Sequence, residues 1–287
     1  MSEFPDMSDA FEIEAPAKTN LWLKILGKRE DGFHELDTRM VALSLVDRLK
    51  LKWREDNDLV LRCSDESLPT GEENLVVKAV RALEKHTEKT FAISIDLTKH
   101  IPSGAGLGGG SSDAASVLLA LNEMASLYLG EDELAELGAT IGSDISFFIY
   151  QRPCDCSGRG EIVEPIPDEM TSMRILLIKP AFGIDTVWAY QRWAESEEYD
   201  GFLYEGQERT WGTMVNHLER PVFEKYPILG EIKAWLLDQP EVDAALMSGS
   251  GSTTLAILHE DASEHELNTR AKERYGENTW TFLGRTV

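Results

Sequence analysis

The chain has 287 residues, 28 of them basic and 51 acidic, for a net charge of −23. Such a charge repels nucleic acid and anionic membranes, and no apolar stretch reaches the length of a membrane span. The acidic start "MSEFPDMSDAFEIE" has neither the basic region nor the apolar run of a secretory leader, so a cytoplasmic protein is expected. With 42% hydrophobic residues the chain can fill one large domain or two ordinary ones. Cys63, Cys154 and Cys156 have neither the spacing of a zinc site nor the number of a disulfide framework, and read as reduced thiols.

In chain order, "EIEAPAKTNLWLKILGKRED" reads as a strand, a break at Pro16, and a second apolar run from Leu21 to Leu26. Gly27 and Glu30–Gly32 mark a turn. Alternation from Leu43 onward predicts another strand, and "DLVLRC" a short one. Leu75, Val76, Ala79, Val80 and Leu83 have helical spacing. Phe91, Ile93, Ile95 and Leu97 then alternate with small or polar residues, as in a strand of an antiparallel sheet buried on one face. A glycine-rich loop follows, then a helix from about Ser112 to Leu127, and another over "EDELAELGATIG". "CDCSGRGEIVEPIPDEM" is turn-rich and marks the end of the first half, so domains of 1–171 and 172–287 are expected. The second half interleaves a strand over "MRILLIKP" and helices at Thr186–Ala194 and Pro227–Leu237. A strand, glycine turn and strand over "AALMSGSGSTTLAIL", an amphipathic helix over "ASEHELNTRAKERYG" and a final strand complete it.

The loop "IPSGAGLGGGSSDAA" carries five glycines within seven positions, Gly104 to Gly110. Gly104, Gly106 and Gly109 match the dinucleotide-binding spacing, but the preceding strand alternates, whereas that fold begins on a strand buried on both faces. A Walker-type loop is excluded too, because Gly110 is followed by Ser111 and Ser112 with no lysine. What stays is a backbone free to adopt positive φ, opening onto a helix whose first amides are unpaired: an anion site. Ser111 or Ser112 can cap that helix and reach a phosphate or a metal. The site must oppose the acidic field of the chain with such local donors.

"PSGAGLGGGSSDAA" resembles the ATP-binding motif of the GHMP kinases, the superfamily of galactokinase, homoserine kinase and mevalonate kinase. The longer "GLGGGSSDAASVLLALN" is similar to the branch that phosphorylates a cytidyl diphosphate methylerythritol in the non-mevalonate route to isoprenoid precursors. "APAKTNLWLKILGKREDGFHEL", "IGSDISFFI", "GRGEIVEPI", "MVNHLERPVFEKYPILGEIKAWL" and "MSGSGSTTLAIL" resemble further motifs of that branch, in the same order, over about residues 13–287.

The resemblance implies a two-domain α+β GHMP kinase fold. Its N-terminal domain would be like the second domain of ribosomal protein S5, and its C-terminal domain a ferredoxin-like α/β sandwich. It assigns Lys18 and Asp144 to catalysis at the acceptor hydroxyl, a pairing that spacing alone does not supply. Pro102, Gly104, Ala105, Gly106, Leu107, Gly108, Gly109, Gly110, Ser111 and Ser112 would hold the nucleotide, and Asn74 and Leu75 would line the adenine pocket. Asn20, Phe33 and His34 fall where the family reads cytidine; the family often has tyrosine at Phe33, so stacking survives while a hydroxyl bond does not. Thr186 would lie near the erythritol, Tyr190 against cytosine, and Gly249 and Ser250 in a second glycine turn beside the substrate. The resemblance also implies ATP as the phosphoryl donor. Mg²⁺ is implied by phosphoryl transfer, with a loop serine as ligand and no dedicated protein cage.

The small molecule is the only partner expected, with no nucleic acid or membrane, and the chain as a monomer or weak homodimer. His86, His100, His217, His259 and His265 lack ligand-like spacing and read as surface or structural. Two competing readings are a different small-molecule kinase on the same scaffold, and an inactive ATP-binding paralogue. "DGFHEL" together with Tyr190 argues against the first, and intact Lys18, Asp144 and glycine loop against the second.

Overall fold

Residues 10–166, 170 and 172–287 are described by a computed structural model of the chain. It opens on β1 (Phe11–Lys28) and β2 (His34–Trp53), a long antiparallel hairpin. Pro16 does not break β1. It lies at a register shift between Pro16 and Lys18, where a bulge tolerates the missing N–H. β2 likewise begins well before the alternation at Leu43. Its polar early residues are held by distant groups: Arg39, for example, makes a two-pronged pair at 2.7 Å with Asp155.

The first half continues with β3 (Leu59–Cys63), α1 (Leu75–Thr87), β4 (Ile93–Thr98) and α2 (Gly109–Met124). Then come α3 (Glu131–Ala139), α4 (Ser143–Tyr150), β5 (Cys154–Ser157) and β6 (Ile162–Pro165). The sheet order is β3-β4-β2-β5-β6, with β1 also paired to β2. β4 is antiparallel to β2 but parallel to β3, so the antiparallel expectation holds on one edge only. β4 buries Ile93, Ile95 and Leu97 on one face, against Val80, Leu83, Leu118 and Phe147 from the helices. The turn-rich 154–165 stretch is in fact the β5–β6 hairpin, whose pairing hides its short strands from local pattern. The domain boundary expected at 171/172 falls on and beside residues outside the described ones.

The second half comprises β7 (Arg174–Lys179), α5 (Thr186–Trp193), a small hairpin of β8 (Gln207–Arg209) and β9 (Gly212–Met214), α6 (Glu219–Lys225) and α7 (Pro227–Leu237). β10 (Val242–Met247), β11 (Thr254–Leu258), α8 (Glu264–Tyr275) and β12 (Trp280–Arg285) follow. The order β10-β11-β7-β12 is antiparallel throughout. In β7, Leu176 and Ile178 pack with the helices, while Ile175 and Leu177 pack with Ala17, Leu21, Val41 and Leu43 of the first hairpin. Burial on both faces explains the uninterrupted apolar run of "RILLIK". The two α+β halves thus share a core through the β1–β2 hairpin, and a cleft opens where β1, the glycine loop and the β10–β11 turn meet.

Candidate active site

The cleft has a volume of about 860 Å³. Lys18 enters it from β1 just after the bulge, a device that re-aims a side chain. Its ammonium lies 3.3 Å from Asp144 Oδ2 and donates to Asn20 Oδ1 at 2.9 Å. Asn20 Nδ2 in turn donates to Thr38 Oγ1 at 2.7 Å, and Thr38 to the Trp22 carbonyl at 2.6 Å. Lys18 is buried, whereas the Asp144 side chain is 32% exposed, so the carboxylate is the accessible member of the pair. Asp144 sits in the first turn of α4, whose N-cap is Gly142, so it is not itself the cap.

The glycine loop forms the opposite wall. Helix α2 starts at Gly109, three residues earlier than expected, because Gly108 at φ 71° provides a left-handed N-cap without a side-chain bond. Neither Ser111 nor Ser112 caps it, and its first amides are left to a ligand. A Cβ at Gly108 would stand 2.9 Å from both Lys18 Cγ and Phe148 Cζ, so only glycine lets the loop close on the catalytic strand.

At the far end, the Asp31–His34 turn presents His34 and Phe33. Asp31 Oδ1 accepts the Phe33 amide at 3.1 Å, a bond that holds the Asp31 carboxyl below its usual range. The buried His34 stacks on Tyr190 with ring centres 5.6 Å apart and meets the edge of Trp193 at 5.9 Å. Burial, then the charge of Lys28, pushes the His34 pKa down and keeps the imidazole neutral. Phe33 is exposed, and the Arg159 guanidinium covers it 4.8 Å from the ring centre. Thr186 Oγ1 lies 2.8 Å from Ser250 Oγ, joining α5 to the second glycine turn.

Every expected site residue except Ser112 lines this one cleft. Ser112 is fully buried, on the α2 face that also carries Ala115 and Ser116. Asn74 lines the cleft, but its amide is already engaged: Oδ1 caps α1 at Val76 N and Nδ2 donates to the Pro69 carbonyl. Sequence reasoning missed Arg159, and also Lys99, whose ammonium bridges Asp47 and Asp113 (2.7 Å to the latter) beside the loop. Both lie on the cleft wall, and no local spacing signals either. His217 is structural, its Nδ1 accepting the Ile25 amide at 3.0 Å. The three cysteines are unpaired, and burial pushes the Cys154 thiol up to about 12 and Cys156 higher still.

A lysine–aspartate pair facing a glycine loop at a helix N-terminus, on two α+β halves, defines a small-molecule kinase of the GHMP class. Residues 74–152 match the GHMP kinases N terminal domain and residues 202–275 the GHMP kinases C terminal family. The chain is 37% identical to the 4-diphosphocytidyl-2-C-methyl-D-erythritol kinase of Methylacidiphilum infernorum, over 94% of each chain. It is 38% identical to that of Syntrophotalea carbinolica, over 85% of this chain and 88% of the relative. A crystal structure of 4-(cytidine 5'-diphospho)-2C-methyl-D-erythritol kinase superposes with a TM-score of 0.76 at 29% identity, covering 96% of this chain and 99% of the other. Homoserine kinase from Cytophaga hutchinsonii shares the fold, with a TM-score of 0.72 at 16% identity over 99% and 96% of the two chains. The chain belongs to the 4-diphosphocytidyl-2-C-methyl-D-erythritol kinase family of the GHMP kinases, and it is an ATP-dependent kinase.

Proposed function

We infer that the protein transfers the γ-phosphoryl group of ATP to the 2-hydroxyl of 4-diphosphocytidyl-2-C-methyl-D-erythritol, giving the 2-phosphate and ADP for isoprenoid precursor synthesis. The observation that carries this reading is the 3.3 Å Lys18–Asp144 pair facing the glycine loop across one cleft. The acceptor oxygen forms the new bond to the γ-phosphorus, the bond to ADP breaks, and Asp144 takes the hydroxyl proton. Lys18, held by Asn20, orients the hydroxyl and offsets the charge that develops on the transferring group.

The loop amides and the α2 N-terminus hold the nucleotide phosphates. Neutral His34 has one ring donor and one acceptor, which suits the cytosine edge. Phe33 and Tyr190 supply the stacking faces. Mg²⁺, bound with the nucleotide, supplies charge neutralisation at the phosphates. Ser111, half-buried on the cleft wall in the first turn of α2, is the hydroxyl suited to hold it, and one protein ligand fits an ion that keeps phosphate and water oxygens.

The test is coupled ADP release with ATP, Mg²⁺ and the cytidyl substrate, wild type beside Asp144→Ala. Substrate-dependent release that collapses in the variant is expected. Release that persists in the variant moves the catalytic role elsewhere, and a wild type that binds ATP without turnover rejects the substrate.

A further inference from the structure

The two glycine turns are fastened to each other and to the catalytic strand. Three successive carbonyls of the phosphate loop are held from behind. The Ala105 carbonyl accepts Thr253 N at 3.2 Å, Gly106 accepts Ser248 Oγ at 3.0 Å, and Leu107 accepts Lys18 N at 2.9 Å. A trans peptide turns its N–H opposite to its C=O. Pinning these three carbonyls therefore fixes the direction of the Gly106, Leu107 and Gly108 amides, on residues that line the cleft.

Two of the three partners are backbone amides, whereas Ser248 is a side chain whose hydroxyl can rotate. Thr19, fully buried like Ser248, lies between Lys18 and Asn20 on β1, and its Oγ1 donates to Ser248 Oγ at 3.0 Å. Because Thr19 occupies Ser248 as an acceptor, the Ser248 proton is directed to Gly106. The Ser248 turn is itself braced: Asn216 Nδ2 donates to the Met247 and Gly249 carbonyls, both at 2.7 Å, and Asn216 Oδ1 accepts Leu218 N at 2.9 Å.

We propose that Thr19 and Ser248 are positioning residues for phosphoryl transfer: their serial hydrogen bonds to Gly106 aim the loop amides at the phosphates and hold them in register with Lys18. Neither hydroxyl touches substrate. Their loss leaves the nucleotide bound but poorly aligned, so it is felt in turnover more than in ATP affinity. This rests on the kinase reading above.

The test compares Thr19→Val, which keeps the shape, with Ser248→Ala, the double variant, and Thr19→Ser, which keeps the hydroxyl. Steady-state kinetics and amide exchange over residues 104–110 are the readouts. The expected result is a fall of about tenfold or more in kcat with KM for ATP within about threefold. Loop exchange speeds up in both single variants, Thr19→Ser stays near wild type, and the double variant is no worse than Ser248→Ala alone. The proposal is overturned by folded Thr19→Val and Ser248→Ala that keep kcat within about twofold, or by losses that multiply in the double variant. If Thr19→Val fails to fold, Ser248→Ala and Thr19→Ser decide. A wild type inactive on the cytidyl substrate rejects the substrate reading alone, and the exchange data then decide the clasp.

Discussion

Gly106→Ala isolates the requirement for close approach between the two glycine turns. Gly106 has φ 76°, and a methyl there would stand 2.1 Å from the Ser248 carbonyl oxygen, 2.9 Å from the Gly251 oxygen and 3.0 Å from the Gly251 nitrogen. The left-handed backbone costs an L residue about 1–2 kcal/mol. The clash is with backbone that cannot rotate away, and such overpacking costs about 1–3 kcal/mol. Together these give a loss of about 2–5 kcal/mol, or a melting point lower by about 3–8 °C. To restore van der Waals contact the turns must part by about 1 Å, a misplacement that costs on the order of 100-fold in turnover. Gly110→Ala is the stability control. Gly110 has no positive φ, lies in α2, and its methyl would meet only Leu75 Cδ1 at 3.5 Å. That variant should melt at or above wild type, since alanine is favoured over glycine in a helix by about 0.5–1 kcal/mol. Thermal melts of both variants, with ADP release for Gly106→Ala, make the comparison. A Gly106→Ala protein that melts and turns over like wild type, or a Gly110→Ala protein equally destabilised, would refute the reasoning.

Burial pushes the Asp113 carboxyl up to about 7; Lys99 opposes that shift and the Asp47 charge adds to it. The folded state therefore binds this proton more tightly than the unfolded chain, and the associated stability is lost as pH rises towards 7. Asp113→Asn does not titrate, so its deficit in melting temperature against wild type should shrink between pH 5 and pH 8; a constant deficit contradicts the assignment. In the second half, Lys233 and Glu219 form a buried pair at 2.6 Å, and Glu219 also accepts the Met247 amide at 2.9 Å. Lys233→Met strands the carboxylate and should cost about 3–5 kcal/mol in urea unfolding, with much of it recovered by adding Glu219→Gln. Phe33→Ala removes a stacking face worth about 1–3 kcal/mol, so KM for the cytidyl substrate should rise by about 5–150-fold with KM for ATP unchanged. Phe33→Tyr should stay within about threefold of wild type, and an ATP-side effect of Phe33→Ala would move that residue out of the acceptor subsite.

Much of the fold was legible because its signals are local. The alternation in β4, the helical spacing of α1, the apolar run of β7 and the glycine-rich opening of α2 each lie within a few turns of chain. The family motifs marked Lys18 and Asp144, and apart from Ser112 the expected site residues line one cleft. The misplaced elements have a common cause. The early part of β2 and the short β5 strand pair with each other across more than a hundred residues, as Arg39 does with Asp155, β6 follows as the return arm of its hairpin, and the polar helix α6 is held through Glu219 by Lys233 and the Met247 amide. Ser112 looked equivalent to Ser111 until the register of α2 buried one and left the other on the cleft wall.

The order of residues set which groups could do the chemistry: a backbone stripped to glycine for phosphate, a lysine, an aspartate, and aromatic and imidazole groups for a base. How those groups are aimed comes from packing between distant segments. Thr19 and Ser248 are 229 positions apart, and their hydroxyls meet because the β1–β2 hairpin packs against the β7–β11 sheet. Hydrogen-bond direction depends on distances of a few ångströms, and those distances are a property of the packed core rather than of any stretch of chain.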